Sequence, residues 1–492
     1  MLRLFATAII LALPHAAIAA GDDLPDIGSP ADAVLSEDRE SQLGRMVLRQ
    51  IREAGVLVED PAVEEYIQDL GHRLATHAHD GEHKFYFFVI DDPSINAFAL
   101  PGGYVGVHAG LIEASKTESE LAGVLAHEIA HVTQRHIARA IFDSQRTSMA
   151  SAAAMLAGIL LGAATGASGD VMQGIVMTSQ AAAIQQQINF TRANEYEADR
   201  IGMGVLAAAG FNPQGMPAFF ETMQRRYGLA SQRVPQLLQT HPVTTARIAE
   251  SRGRARLLPR QDPGDSLNYG LTRARLELLS ARNVEDAQIQ FELRLKDDPQ
   301  DIPARFGLAL TFLKMSLPDR AELILRELLQ QHPDAIAFHV THADALLAGG
   351  NLPRALAAYQ HAIDLFPRNV PLTVAYAEAL ISAGQAREAH QLLLDLLNNT
   401  PPTPTQIRLI ARAANAEGDI GNAHFYMAEY HLMLGNLRMA LAQLRMAQES
   451  PGVNSVDSAR YAARMQDLRD LIPEKQRKNF EETSPETPES GS

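Results

Sequence analysis

The chain has 492 residues, 46% hydrophobic and 21% charged, an ordinary globular composition for about three domains, which excludes wholesale disorder. Asp plus Glu number 58 against 43 Lys plus Arg, and the net charge of −15 excludes broad nucleic-acid binding, which needs a basic footprint. Cysteine is absent, so disulfides, thiolate zinc sites, a cysteine nucleophile and a lipidated N-terminal cysteine are excluded, and any zinc must be held by His and carboxylate.

Arg3 precedes an apolar run from Leu4 to Leu13, followed by small residues with an Ala-x-Ala site at Ala17 to Ala19. The run falls short of the roughly 20 residues that span a bilayer. It reads as an export signal over residues 1–20, with the mature chain starting near Gly21. Residues 22–36 form an acidic lead-in. From Ser36 to Ala78 apolar residues recur at helical spacing, broken at Gly55 and restarted at Glu59-Asp60-Pro61. Phe85 to Ile90 is rich in β-formers and predicts a strand; turns at Asp91 to Ser94 and Pro101-Gly102-Gly103 lead to a second short strand, Tyr104 to His108. Glu118 to Phe142 predicts one long helix, with Thr117 and Glu120 as a capping box. A further helix is predicted from Ala193 to Ala209, ended by Gly210, and another after Asn212-Pro213 to Tyr227. Residues 228–243 read as loop, Arg247 to Leu258 as a basic helix, and Pro259 to Pro263 as a domain boundary.

Beyond residue 264 the pattern becomes periodic. Pro299, Pro333, Pro367 and Pro401 are spaced by 34, as are Ala309, Ala343, Ala377 and Ala411, and Ala321, Ala355, Ala389 and Ala423. Gly350, Gly384 and Gly418 repeat the step, and Tyr430 to Asn436 adds an out-of-phase turn. A 34-residue unit with small residues at helix contacts and a closing Pro is the tetratricopeptide signature, which stacks into a solenoid. The chain therefore reads as mainly α: a first domain with a small β-sheet over 21–263, and an α-solenoid of tetratricopeptide repeats over 264–455. A terminal helix follows over 456–473, then a polar, disordered tail over 474–492.

The first domain contains His127-Glu128-Ile129-Ala130-His131, an HExxH motif by which it reads as a zinc metallopeptidase domain. On a helix four residues turn about 400°, so His127 and His131 face the same way one turn apart and can bind one zinc, with Glu128 placed to hold the attacking water. Zinc catalysis needs a third protein ligand. His136 lies about 140° round the helix from His131 and reads as a surface or second-layer residue. The better source is Glu195-Tyr196-Glu197-Ala198-Asp199, where Glu195 and Asp199 share a face, so that one carboxylate can bind the metal while the other orients a ligand His. Spacing does not choose between Glu195 and Glu197.

Four pieces occur in order: Ser94-Ile95-Asn96-Ala97-Phe98 with Pro101-Gly102-Gly103, then HExxH, then Glu195 to Asp199, then His241-Pro242 with Arg247. Over about 36–258 this resembles the gluzincin metallopeptidases related to HtpX and the CAAX prenyl endopeptidases. The resemblance implies one zinc per chain held by His127, His131 and Glu195, with Glu128 catalytic and Asp199 and Arg247 behind the ligands. It places His241 near the metal, either as a donor to the developing oxyanion or as an occupant of the open zinc position. A strand around Asn96, Phe98, Gly102 and Gly103 is expected to receive an extended substrate by β-augmentation. The prenyl endopeptidases carry several membrane spans that this chain lacks, so prenyl-protein processing is set aside.

Signal, soluble peptidase and repeats together resemble a periplasmic branch of this family. That implies unfolded or misassembled outer-membrane β-barrel proteins as substrates, contact with the β-barrel assembly machinery through the repeats, and a periplasmic location. The alternative is a chaperone-like tetratricopeptide adaptor with a latent metal site. Residues 147–169 and 171–191 carry no charge, and the second stretch holds five Gln. They read as helices packed over the cleft as a lid, with peripheral membrane contact through 147–191 and a true membrane span as the other readings.

Overall fold

The computed structural model describes residues 35–78, 84–144, 192–227 and 236–470. The expected export signal at 1–20, the uncharged stretch at 147–191 and the expected tail at 474–492 lie outside the described residues. Two helices open the fold, α1 (Glu37–Glu53) and α2 (Pro61–Ala75). Asp60 starts α2: its carboxylate accepts from the Ala62 and Val63 amides, and Pro61 supplies a helical φ with no orphan N–H.

Three strands follow, β1 (Tyr86–Ile90), β2 (Ala97–Leu100) and β3 (Tyr104–His108), in the order β1-β3-β2. β1 runs parallel to β3, and β2 is antiparallel to β3 and forms one edge. Alternation splits the sheet into two faces. Phe88, Ile90, Phe98 and Leu100 pack on Leu43, Val47 and Ile51 of α1. Phe87, Val89, Ala97, Ala99, Val105 and Val107 join the larger core with α2 and α4 (Glu118–Thr133). A short helix, α3 (Ala109–Ala114), links β3 to α4.

α4 is buried from Glu118 to Val132 and runs through the centre of the core. Thr117 caps it by accepting from the Glu120 amide at 3.2 Å, but the Glu120 carboxylate accepts from the Lys116 amide, so only half of the expected capping box forms. The expected helix from Glu118 to Phe142 is also broken. α4 ends at Thr133, Arg135 takes φ 51°, and α5 (His136–Ser144) starts afresh. Nothing local predicts a left-handed Arg. Its guanidinium is held from outside the helix, donating at 2.8 Å to the buried Glu40 and at 2.7 Å to the Leu35 carbonyl.

α6 (Arg192–Ala208), α7 (Gly215–Tyr227), α8 (Gln236–Thr240) and α9 (Thr245–Ala255) complete the peptidase unit; α8 falls in the stretch expected to be loop. Gly202 lets α6 close on α4: a Cβ there would stand 2.8 Å from the Ala126 carbonyl oxygen, beside the His127 amide.

The repeats form paired helices. α10 (Leu267–Leu279) and α11 (Val284–Asp297) precede α12 (Ile302–Lys314) and α13 (Pro318–Gln331). α14 (Ile336–Ala348), α15 (Leu352–Leu365), α16 (Val370–Ser382), α17 (Ala386–Asn399), α18 (Pro404–Glu417) and α19 (Ile420–Met433) keep the 34-residue step. α20 (Leu437–Glu449) and α21 (Ser455–Asp470) end the described chain. Ala309, Ala343, Ala377, Ala321, Ala355 and Ala389 are fully enclosed, so the periodic alanines are where helices touch. Gly350, Gly384 and Gly418 have φ of 76°, 77° and 91°, and Ser316 holds the equivalent position at 59°.

The solenoid docks on the peptidase unit through polar bonds. Arg275 donates to Asp60 at 3.0 Å, Asn369 to Glu65 at 2.7 Å, and Arg49 to the Gly435 carbonyl at 2.8 Å. At the junction Glu118 accepts from the Ser266 amide and hydroxyl and from Tyr66, tying the linker to the start of α4. Among the described residues no helix is long and apolar enough to cross a membrane.

Candidate metal centre and active site

α4 supplies His127, Glu128 and His131, α6 supplies Glu195 and Asp199, and His241 follows α8. One ligand atom from each of His127, His131, Glu195 and His241 lies within 4.8 Å of every other, and all four residues are buried. His127 Nε2 is 3.0 Å from His131 Nε2 and 3.4 Å from His241 Nδ1. Glu195 Oε1 is 2.9 Å from His241 Nδ1 and 3.5 Å from His131 Nε2. Metal–ligand arms of about 2.0–2.1 Å in a tetrahedron set ligand atoms about 3.3 Å apart, so these separations fit a small divalent ion.

The charge balance fits as well. Three buried carboxylic side chains, Glu128, Glu195 and Asp199, face one buried guanidinium, Arg247, an excess of acidic groups that a bound cation would offset. Both Glu128 carboxylate oxygens are buried with no hydrogen-bond partner among the described residues, and His241 Nε2 stands 3.7 Å from Oε1. A carboxylate in that state needs a proton-bearing group, which a water at the centre would supply.

Asp199 and Arg247 brace the ligands. Asp199 Oδ1 lies 2.9 Å from His127 Nδ1, which leaves Nε2 free to face the centre. Arg247 donates to both Asp199 oxygens at 2.8 and 2.7 Å and to the Pro242 carbonyl at 2.8 Å, and pairs with Glu195 Oε2 at 2.7 Å. Its guanidinium lies 5.1 Å over the Phe220 ring. Burial alone would raise the carboxyls, yet His241 and His127 hold Glu195 well below the usual range, and His127 and Arg247 lower Asp199. Burial opposes charge on His127, but Asp199 and Glu195 raise its pKa to about 10, so this ring has to give up a proton before its Nε2 can hold a metal. Burial and the neighbouring His127 push His131 well down, which keeps it neutral as a ligand must be.

The structure separates the two glutamates that spacing left open. Glu195 joins the ligand group, while Glu197 faces His136. His136 is no surface residue: it is fully buried, 2.8 Å from His131 Nδ1. The four residues expected along a substrate strand divide. β2 is an edge, and Asn96 beside it is buried with its Oδ1 unpartnered among the described residues. Phe98 points to the α1 face, stacked edge-on against Phe88 and His108, away from the face that packs on α4. Gly102 and Gly103 form the β2–β3 turn at φ 77° and 86°, pressed against the backbones of Ser41 and Lys84.

Residues 61–255 match the model of peptidase family M48, and residues 346–413 match a tetratricopeptide repeat model. The beta-barrel assembly-enhancing protease of Escherichia coli K12 is 35% identical over 454 residues, 92% of each chain. Its Yersinia pestis counterpart is 35% identical over 458 residues, 92% of this chain and 93% of that one. The mitochondrial metalloendopeptidase OMA1 of Saccharomyces cerevisiae is 32% identical over 173 residues, 34% of this chain and 45% of that one.

Proposed function

The chain belongs to the beta-barrel assembly-enhancing proteases, tetratricopeptide-bearing metalloproteases of peptidase family M48, and on that premise we propose a zinc-dependent endopeptidase of the periplasm. Its substrates are unfolded or misassembled outer-membrane β-barrel proteins, and its repeats recruit partners in the β-barrel assembly machinery. Residues 1–20 export it. The observation that carries the reading is the convergence of His127, His131, Glu195 and His241 beside a buried Glu128 with no hydrogen-bond partner among the described residues.

His127, His131 and Glu195 would hold one zinc, which when bound would supply a water of lowered pKa and polarise the scissile carbonyl. Glu128 accepts the water proton and passes it to the leaving amine. Asp199 fixes the His127 tautomer, and Arg247 pairs with both Asp199 and Glu195. The edge of β2 near Asn96 takes the substrate backbone in extended form. His241 stands within the ligand group, where it could either donate to the developing oxyanion or occupy the open metal position, from which a substrate would then have to displace it. The same closure supports a second reading, an adaptor whose repeats act while the metal site stays latent.

Casein cleavage by purified residues 21–492, beside Glu128→Gln and His241→Ala, tests these readings. The endopeptidase reading expects Glu128→Gln to lose activity by about 10²-fold or more. Activity that rises in His241→Ala marks His241 as the closing ligand, and activity lost there makes it catalytic. A chain that binds zinc but cleaves in none of its forms supports the adaptor.

A further inference from the structure

Behind the metal ligands the chain builds a buried polar file. His131 turns its Nε2 to the ligand group, so its Nδ1 points outward, 2.8 Å from His136 Nδ1. The other nitrogen of His136, Nε2, lies 3.0 Å from Glu197 Oε2. Arg139 Nη1 is 3.3 Å from the same oxygen, where the file reaches solvent.

Valence orders the protons along this file. An imidazole that offers its Nε2 lone pair to a metal carries its single proton on Nδ1. His131 Nδ1–H then donates to His136 Nδ1, which must accept. The proton of His136 is therefore on Nε2, where it donates to the Glu197 carboxylate. Reversing either imidazole alone sets two N–H groups, or two lone pairs, face to face at 2.8 Å in a buried site. On an unbroken helix His136 would lie about 140° away from His131. The left-handed Arg135, clamped by Glu40 and the Leu35 carbonyl, redirects the chain so that the two rings meet.

We propose that His136 and Glu197 are positioning residues for the metal ligand His131, fixing its tautomer and ring orientation and raising its basicity through a carboxylate–imidazole–imidazole relay. Arg135 sets the geometry of the relay. Asp199 serves His127 in the corresponding way, so each helix-borne ligand His has its own carboxylate, one direct and one through a second ring. The inference rests on the metal centre proposed above.

The test is zinc affinity of residues 21–492 by competition with a chromophoric chelator, with the visible spectrum of the Co²⁺-substituted protein as a second readout. Metal-free melting checks the fold. His136→Gln, whose amide reaches toward Glu197 but offers no acceptor to His131, is expected to bind zinc about 10–100-fold more weakly and to alter the Co²⁺ spectrum. His136→Asn, whose oxygen takes the place of Nδ1, is expected to recover most of that loss. Glu197→Gln, at the solvent end, is expected to lose about 3–10-fold. Equal losses in Asn and Gln that track metal-free melting, or no loss in either, overturn the relay. If neither His136 variant folds, an unchanged affinity in Glu197→Gln overturns it. A wild-type chain without stoichiometric zinc refutes the metal centre itself, whereas zinc-loaded wild type with unaffected variants refutes only the relay.

Discussion

Arg247→Ala is the substitution from which the structure predicts most. One buried guanidinium hydrogen-bonds both Asp199 oxygens and the Pro242 carbonyl and ion-pairs with Glu195 Oε2. Its removal strands two buried carboxylates, the circumstance in which a broken buried ion pair costs about 3–5 kcal/mol. For a unit of this size 1 kcal/mol shifts the melting midpoint by about 2–4 °C, so the metal-free chain is expected to melt roughly 10 °C lower. Zinc cancels part of the stranded charge, so the deficit is expected to shrink when zinc is bound. Arg247→Lys keeps the charge but loses the fork, and is expected to recover less than half. The assay is calorimetric melting of the full chain with chelator and with zinc. A metal-free Arg247→Ala chain that melts within about 2 °C of wild type refutes the claim that this guanidinium balances the site.

Two further perturbations test other parts of the fold. Glu65 accepts from Asn369 across the peptidase–solenoid seam, and burial, against the Asn369 amide, pushes its pKa up to about 7. Its folded pKa exceeds the ordinary 4.5, so its contribution is full below about pH 4.5 and is lost as pH rises through about 7. Glu65→Gln is expected to stabilise the chain by about 1–2 kcal/mol at pH 8.5 and by nothing at pH 4.5; identical melting of the two proteins at both pH values contradicts this. Gly202→Ala drives a methyl against the Ala126 carbonyl beside His127, and is expected to cost about 1–3 kcal/mol and to weaken zinc retention in chelator dialysis. Wild-type retention contradicts the close fit of α6 on α4.

The parts of the fold legible in the sequence are those whose signal is local or periodic. Asp60-Pro61 announces α2, and the alanine and glycine columns announce the repeats because every repeat buries the same contact and closes the same turn. Ser316 shows the limit of composition, since it holds by context a conformation that glycine holds elsewhere. HExxH gives two ligands and Glu128 because one helix carries all three. The remainder needed contacts distant in sequence. Arg135 breaks the helix because Glu40 and Leu35 hold it. Glu195 and Glu197 are told apart only once His136 is seen to face the latter. The docking of the solenoid through Asp60, Glu65 and Arg49 joins residues more than two hundred positions apart, and no pattern in either segment encodes it.

The most direct test of the metal centre is the zinc content of purified residues 21–492 by mass spectrometry, beside His131→Ala, with cleavage measured after chelation and after zinc is returned. The structure predicts one zinc per wild-type chain, a large loss in His131→Ala, and activity that disappears with the metal and returns with it. Wild-type chains that hold no stoichiometric metal, or that cleave equally well after chelation, contradict it.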